Sequence, residues 1–517
     1  MIVIFPFVGC NKKENKAVIV DESIYSSQNF TDLVLDSTVV VNFLYKSSET
    51  DSIKNQVSDF YIRRNFQFAW FNSKGLTIAA TNFYSQLETF KVDFEDNSLK
   101  NSQLDKLINA AQSNEKKFLT QKADLQNLDL LLTITFFKYA QKAYGGTSKN
   151  TFDLEWFIPR KKKDYQILLD SLVSLNKGEE IQVPVNQYYL SLKEYLRKYR
   201  FIQKNGGFPT VITDEKLLVV SDTNACLVNV KKYLLLSGDL KSNDNTTIFT
   251  DTLAKAIQRF QHRMGLTENG KIDRATIIEF NKPIEFRIKQ MMVNMERLRW
   301  VPVELENEYL LVNIPEFRLH IFENNKQIWA ANVVVGKDVR QTSIFKGNIS
   351  QIVLNPYWGI PISIVKNEIL PKIRRNSNYL ARNNMEVVNG NYRQKPGKNN
   401  ALGKMKFLFP NHYNIYLHDT PSKSLFGATN RAFSHGCIRV ENPKKLVLFL
   451  LRKETDWNEQ KVDNILKTDN ETIIKVKPNV PVYIAYFTAW VDNTGQLNFR
   501  NDLYHLDEKL SKEIFGN

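Results

Sequence analysis

The chain has 517 residues, of which 43% are hydrophobic and 24% are charged. It is too long for one hydrophobic core, so we expect several compact units of ordinary globular composition. Lysine and arginine exceed aspartate and glutamate by 70 − 55 = 15. This excess fits a polyanionic partner as well as a merely solvated lysine-rich surface, and no nucleic-acid-binding motif accompanies it.

The N-terminal ten residues form a short apolar run that ends at Gly9 and Cys10 and is followed at once by polar residues. This resembles the end of a bacterial lipoprotein signal, in which the cysteine is acylated and becomes the first residue. The alternative is an unprocessed hydrophobic terminus. We expect residues 1–20 to be signal and tether, with lipid on Cys10. Elsewhere no uninterrupted apolar run approaches 18 residues, so we expect no membrane-spanning helix.

Residues 21–210 are predicted to form a helical scaffold. Leu125, Leu128, Leu132, Phe136 and Tyr139 follow helical spacing and predict a helix over residues 123–143. Tyr188, Leu192, Tyr195 and Tyr199 mark a second helix. An aromatic cluster at residues 66–71 is expected in the core. This region contains no recognisable catalytic residues.

Residues 211–283 are predicted to form a small three-helix domain. Thr250 or Asp251 can cap a helix that ends at Gly265. The stretch at residues 256–261, together with Gly265, Gly270 and Thr276, resembles the small peptidoglycan-binding domain. The alternative is a helical spacer without a ligand. Cys226 is expected to be a buried structural thiol.

Residues 284–517 begin with a helix and then change to β-branched and aromatic runs at residues 308–314, 317–322, 328–335 and 349–354. They predict a β-rich domain. Residues 361–398 turn helical and basic, and this insertion is either a substrate cap or a packing element. The predicted fold class is therefore multidomain α+β.

One stretch of this domain carries nucleophilic chemistry. It reads Ser434-His435-Gly436-Cys437-Ile438-Arg439 and follows Tyr416-Leu417-His418-Asp419. A cysteine thiolate is a strong nucleophile, and either His435 or His418 could take the thiol proton. Gly436 permits backbone conformations that would present N–H groups to a developing oxyanion. Three interpretations remain open on these residues alone: a cysteine acyl-transfer centre, a zinc site built from His412, His418, His435 and Cys437, or a polar loop with a partly buried thiol.

The segment from Tyr416 to Arg439 resembles the signature of the YkuD-type L,D-transpeptidases. Residues 355–358, 417–421 and 483–504 resemble the long, multidomain branch of that family, which joins a helical scaffold, a peptidoglycan-binding domain and a β-rich catalytic domain with an inserted cap. The order of predicted regions in this chain is the same. The family uses no metal or other cofactor, so the resemblance argues against zinc.

The resemblance implies a role for each matching residue. Cys437 would attack the carbonyl between the third and fourth residues of a peptidoglycan tetrapeptide stem, and His418 would act as the base. Ser434, His435 and Gly436 would form the loop and the oxyanion site. Arg439 would either bind a substrate carboxylate or brace the loop, and Tyr416 would line the site. A backbone carbonyl, rather than Asp419, is expected to orient His418.

The implied function is L,D-transpeptidation with release of D-alanine and formation of 3→3 cross-links, at the periplasmic side of a bacterial cell envelope. Donor and acceptor stem peptides would be its partners, together with a membrane through the lipid anchor. Carbapenems would acylate Cys437. The alternatives are an L,D-carboxypeptidase, an enzyme attaching a protein to the wall, and a catalytically silent wall-binding scaffold.

Overall fold

The structure is a computed structural model that describes residues 31, 33–147, 150–160, 163–174 and 183–516. The lipidation expected at Cys10 lies outside these residues. None of the helices in these residues combines the length and the apolar composition that spanning a membrane requires. The chain divides into two compact units, residues 1–146 with 162–184 and residues 147–161 with 185–517. This division differs from the expected scaffold of residues 21–210, which stays a prediction.

The first unit is helical. Its helices are α1 Ser37–Lys46, α2 Asp51–Arg63, α3 Ile78–Phe94, α4 Ser102–Ser113, α5 Glu115–Leu119, α6 Lys122–Ala140 and α7 Tyr165–Val173, and its hairpin is β1 Phe71–Asn72 with β2 Gly75–Leu76. Helix α6 confirms the predicted periodicity, and Trp70 and Phe71 are buried as expected. The Asp129 carboxylate is fully buried and accepts hydrogen bonds from the Trp70 N–H (2.8 Å) and the Tyr61 hydroxyl (2.7 Å).

The second unit contains the remaining elements. Its helices are α8 Gln187–Lys204, α9 Cys226–Ser237, α10 Asp251–Met264, α11 Arg274–Phe280, α12 Ile284–Trp300, α13 Ile362–Ile364, α14 Leu370–Arg375, α15 Tyr379–Arg382, α16 Pro443–Leu451, α17 Glu459–Leu466 and α18 Leu506–Phe515. Its strands are β3 Trp156–Phe157, β4 Leu217–Leu218, β5 Ile272–Asp273, β6 Glu308–Asn313, β7 Arg318–Glu323, β8 Lys326–Gly336, β9 Ile344–Leu354, β10 Trp358–Gly359, β11 Met385–Val388, β12 Asn391–Gln394, β13 Met405–Leu408, β14 Leu417–His418, β15 Ala432–Ser434, β16 Ile438–Val440, β17 Thr472–Ala485, β18 Ala489–Val491 and β19 Leu497–Phe499.

Helices α9, α10 and α11 form the expected three-helix module. The Thr250 hydroxyl caps α10 by accepting the Leu253 N–H, and Gly265 ends that helix with a left-handed φ of 69°. Cys226 is buried, as predicted. The buried Arg263 forms an ion pair with Asp239 and donates to the Leu497 carbonyl at 2.6 Å. The module is therefore fixed to the hairpin of β18 and β19.

The central sheet has the strand order β13-β14-β16-β8-β7-β6-β17-β9-β3. Strand β13 also pairs with β9, so the ladder closes on itself and leaves few free edges. Most neighbours are antiparallel, whereas β14 with β16 and β6 with β17 are parallel. Strand β3 comes from the segment that precedes α8 by about 30 residues and adds to β9 in parallel.

The insertion between β9 and β13 is more than helical. Helices α13 to α15 are joined by a separate three-stranded sheet of order β10-β12-β11. The expectation of a helical cap is corrected in this respect. Its small core is formed by Ile360, Ile364, Val365 and Ile369. The insertion therefore has a hydrophobic core of its own, beside the sheet that carries β14 and β16.

Candidate functional site

Strands β14 and β16 bring the nucleophile and the histidine together. They pair in parallel with His418 opposite Arg439, and Cys437 immediately precedes β16. Because side chains alternate along a strand, Tyr416 lies on the same face as His418, and Cys437 on the same face as Arg439. Lys406 of the neighbouring β13 is directly opposite His418. The expected residues thus converge on one face, joined by a lysine that the sequence did not single out.

The Cys437 thiol is partly buried, and it donates to the Asn414 carbonyl at 3.6 Å. Burial raises the pKa of this thiol. Hydrogen bonds from the backbone and side chain of Tyr416, and then the charges of Lys406 and Arg439, act in the opposite direction. The resting site therefore holds a neutral thiol, surrounded by groups that stabilise a thiolate once it forms.

His418 is buried, and its Nδ1 lies 2.5 Å from the Asp419 carbonyl oxygen. Since a carbonyl only accepts, Nδ1 carries the proton and Nε2 is left as the basic atom. Burial, followed by the Arg439 charge, lowers the pKa of His418 to about 3. The Asp419 carboxylate instead binds the Lys404 N–H at 2.9 Å and the Lys423 ammonium. The expected backbone carbonyl therefore orients the imidazole.

The turn that presents Cys437 is held by the hydroxyl of Ser434, which belongs to the turn, and by Thr342 of a neighbouring loop. Ser434 is buried; its Oγ accepts the Gly436 N–H at 3.1 Å and donates to the Cys437 carbonyl at 2.6 Å. Gly436 has a φ of +111°, which favours glycine. The Thr342 hydroxyl donates to the Gly436 carbonyl at 2.8 Å. The Gly436 N–H is thus already occupied, whereas the Cys437 N–H has no hydrogen-bond partner among the described residues.

His435 and Arg439 lie on either side of the nucleophile. The His435 Nε2 is 3.1 Å from a carboxylate oxygen of Glu368, which belongs to the cap. His435 therefore contacts the cap, as a residue that orders the loop would. The Arg439 Nε is buried without a hydrogen-bond partner in the described part of the chain.

The zinc interpretation gains no support from this arrangement. His412 is exposed in the turn after β13. In the described ranges no group of three or more His, Cys, Asp or Glu side chains could hold a metal ion.

Sequence reasoning missed three residues that shape the site: Lys406, Thr342 and Glu368. Each comes from a strand, loop or cap segment outside the Tyr416–Arg439 stretch. Lys406 comes close through the pairing of β13 with β14, Glu368 through its contact with His435, and Thr342 through its hydrogen bond to Gly436. The alternation of apolar and polar residues around Lys406 was the one local signal of its strand.

Three family models match the chain. The L,D-transpeptidase catalytic domain, YkuD, matches residues 307–476, and a scaffold domain matches residues 55–196. The "Putative peptidoglycan binding domain" matches residues 226–278. A protein of Haemophilus influenzae named "Putative L,D-transpeptidase" is 32% identical over 244 residues, which cover 43% of this chain and 49% of the relative. The chain therefore spans about half the length of this curated relative.

Solved structures of two L,D-transpeptidases also match weakly. One from Stackebrandtia nassauensis is 12% identical, covering 54% of this chain and 96% of the other, with a TM-score of 0.22. One from Xylanimonas cellulosilytica is 11% identical, covering 53% of this chain and 100% of the other, with a TM-score of 0.18. These scores are too low to support an argument. The domain matches are more informative: residues 307–476 match the L,D-transpeptidase catalytic domain, YkuD, and residues 226–278 match a putative peptidoglycan-binding domain.

Proposed function

We propose that this protein is an L,D-transpeptidase that forms 3→3 cross-links between peptidoglycan stem peptides through a thioester on Cys437. The observation that carries the proposal is the register of β14 and β16, which puts Cys437 on the same face as the buried, neutral His418, whose Nδ1 bonds to a backbone carbonyl. This arrangement leaves one basic nitrogen on the face that carries the thiol, as a thiol-dependent acyl transfer needs.

In the first half-reaction, the Cys437 Sγ forms a bond to the carbonyl carbon of the third stem residue. Nε2 of His418 takes the thiol proton as this bond forms and then delivers it to the nitrogen of the departing D-alanine. The C–N bond breaks, and a thioester remains. The low basicity of His418 means that it holds the proton only briefly, because Arg439 and burial oppose the imidazolium.

In the second half-reaction, the side-chain amine of a diamino acid on another stem attacks the thioester carbon. The C–S bond breaks, the new amide carries the cross-link, and the amine proton returns through His418 to the thiol. The unpartnered Cys437 N–H is suited to bind the oxyanion of each tetrahedral intermediate. The Arg439 guanidinium, on the same face as Cys437, is suited to a stem carboxylate.

The direct test incubates the purified protein with disaccharide-tetrapeptides and identifies the products by mass spectrometry, with Cys437→Ala as the control. Cross-linked dimers with released D-alanine are expected. Tripeptide alone would instead assign the L,D-carboxypeptidase activity, in which water resolves the thioester. Unchanged substrate without any adduct on Cys437 would refute an enzymatic role and leave a wall-binding scaffold. The same adduct assay with a carbapenem tests the expected acylation of Cys437.

We further propose that lipid on Cys10 anchors the protein at the periplasmic side of the envelope, where its substrate lies. The support for this is the apolar run that ends at Gly9 and Cys10, together with the matched peptidoglycan-binding domain. Cys10→Ala should move the protein from the membrane fraction to the soluble fraction, whereas the control Cys226→Ala should not. Unchanged fractionation of Cys10→Ala would refute the anchor.

A further inference from the structure

The second unit contains a cleft with a volume of about 1330 Å³. Its walls are the loop that follows α10, the outer face of β6 and β7, residues 427–431, and the hairpin of β18 and β19. Cys437, His418 and Tyr416 are not among its lining residues. The cleft is therefore separate from the site of acyl transfer, and one of its walls belongs to the peptidoglycan-binding module.

Three arginines line this cleft: Arg318, Arg431 and Arg500. They are close enough to affect one another. Burial, and then the Arg318 charge, lowers the pKa of Arg431 to about 10, and burial lowers the pKa of Arg500. Positive charge is thus concentrated at one place on the cleft wall.

The hydrogen bonds of Arg431 and Arg500 do not neutralise this charge. Arg431 donates from Nη1 to the Ala428 carbonyl at 2.7 Å and from Nη2 to the Phe317 carbonyl at 3.2 Å, while its Nε is buried without a partner. Arg500 donates to the Arg263 carbonyl at 2.9 Å. Neutral carbonyls fix these guanidinium groups in place, and Glu316 opposes their charge without forming an ion pair with either one in the described part of the chain.

Arg318 is the most available of the three. Its guanidinium has no hydrogen bond and no ion pair within 4 Å to any residue that the structure describes. The nearby Glu316 carboxylate bonds instead to His320, at 2.9 Å. Arg318 therefore presents a fork of donors to the cleft.

The other carboxylates of the cleft are also engaged. Glu268 lies 2.8 Å from a ring nitrogen of His262. Asp492 accepts hydrogen bonds within its own turn, from the N–H groups of residues 494 and 496 and from the Asn498 amide. Glu316 acts on Arg318 through its charge, but within the described residues no carboxylate forms a hydrogen bond or an ion pair with the Arg318 guanidinium.

We propose that this cleft binds a carboxylate of a second peptidoglycan stem peptide through Arg318 and Arg431, and so holds a neighbouring strand close to the nucleophile. The inference rests on the proposed function for its choice of ligand. A guanidinium fork matches a carboxylate in a bidentate manner, and stem peptides carry several carboxylates. Arg431 and Cys437 are 437 − 431 = 6 residues apart, so they are separated by about 20 Å at most.

The test measures hydrogen exchange of the full-length Cys437→Ala protein with a disaccharide-tetrapeptide as the probe. The probe should slow exchange in peptides that contain residues 316–320 and 427–431. With Arg318→Gln, about tenfold more probe should be needed for the same protection. The melting temperature should change little, because Arg318 forms no hydrogen bond or ion pair with any described residue. Arg274→Gln, an exposed arginine of α11 outside the cleft, is the matched control and should bind as the parent does.

Two further probes identify the recognised group. The same muropeptide with its carboxylates amidated, and the disaccharide without a peptide, should both fail to protect the cleft. Protection by either one, or unchanged binding of Arg318→Gln, would overturn the proposal. Acylation of Cys437 is measured separately on the unmodified protein. Normal acylation without protection of the cleft overturns this inference alone, whereas protection of the cleft without acylation overturns the transpeptidase proposal alone.

Discussion

Replacing Thr342 by valine should damage both the stability and the reactivity of the catalytic turn. The buried Thr342 hydroxyl accepts the Gly336 N–H at 2.9 Å and donates to the Gly436 carbonyl at 2.8 Å. Valine has the same shape but leaves both backbone groups buried without a partner. Each such group costs about 1–3 kcal/mol, so the free energy of unfolding should fall by about 2–6 kcal/mol. At about 2–4 °C per kcal/mol, the melting temperature should fall by at least about 4 °C.

The chemical consequence follows from the same bond. The Gly436 carbonyl belongs to the peptide unit that positions the Cys437 N–H, so its release should misplace both the thiol and the oxyanion donor. Acylation of Cys437 by a carbapenem, followed by intact-protein mass spectrometry, should slow at least tenfold at a temperature where the variant is folded. Thr342→Ser keeps the hydroxyl and loses one methyl group, so it should retain most of the acylation rate. Equal melting temperatures and equal acylation rates for the valine variant and the parent would refute this reasoning.

Three further predictions concern titration. Tyr416→Phe removes a hydrogen bond to the Cys437 thiolate, so the thiol pKa should rise further and alkylation by iodoacetamide at pH 7 should slow several-fold; an unchanged pH profile of alkylation would contradict this. Because the pKa of His418 is about 3, the rate of carbapenem acylation should show no inflection near pH 6.5, which a solvent-exposed histidine would produce. The pKa of Glu316 is lowered to about 2 by His320, although burial opposes this; its contribution to stability should be complete above its unfolded value near 4.3 and be lost as the pH falls towards 2. The pKa of His320 is raised by Glu316 against burial, so its contribution should be complete below about pH 6.5 and be lost as the pH rises through the folded value. Urea unfolding of Glu316→Gln should therefore show a flatter pH dependence than the parent, and parallel curves would contradict the pairing.

The site was predictable where its chemistry lies along one strand. Alternation in residues 416–418 places Tyr416 and His418 on one face, and the structure brings Cys437 to the same face through a parallel register. The orientation of His418 by a backbone carbonyl followed from the opposite direction of Asp419. These features depend on the alternation of side chains along a strand, which can be read from the sequence.

The other features of the site and of the sheet depend on contacts between segments that are distant in the sequence. Lys406 reaches the site only because β13 pairs with β14, and Thr342 supports Gly436 from a loop almost a hundred residues earlier. Strand β3 has only two residues and no alternation of its own, so its addition to β9 left no pattern to recognise. The sequence also could not show that the Gly436 N–H is already occupied, because its hydrogen bond depends on the rotamer of Ser434.

The central claim is that Cys437 carries the acyl group of a stem peptide. Its most direct test is intact-protein mass spectrometry after incubation with a tetrapeptide donor whose side-chain amine is acetylated, so that the donor cannot also act as acceptor. We expect a thioester of the tripeptide on Cys437, which adds the mass of the donor minus D-alanine, and no such adduct on Cys437→Ala. Release of D-alanine by Cys437→Ala at the parent rate, or an adduct on any other residue, would contradict the account.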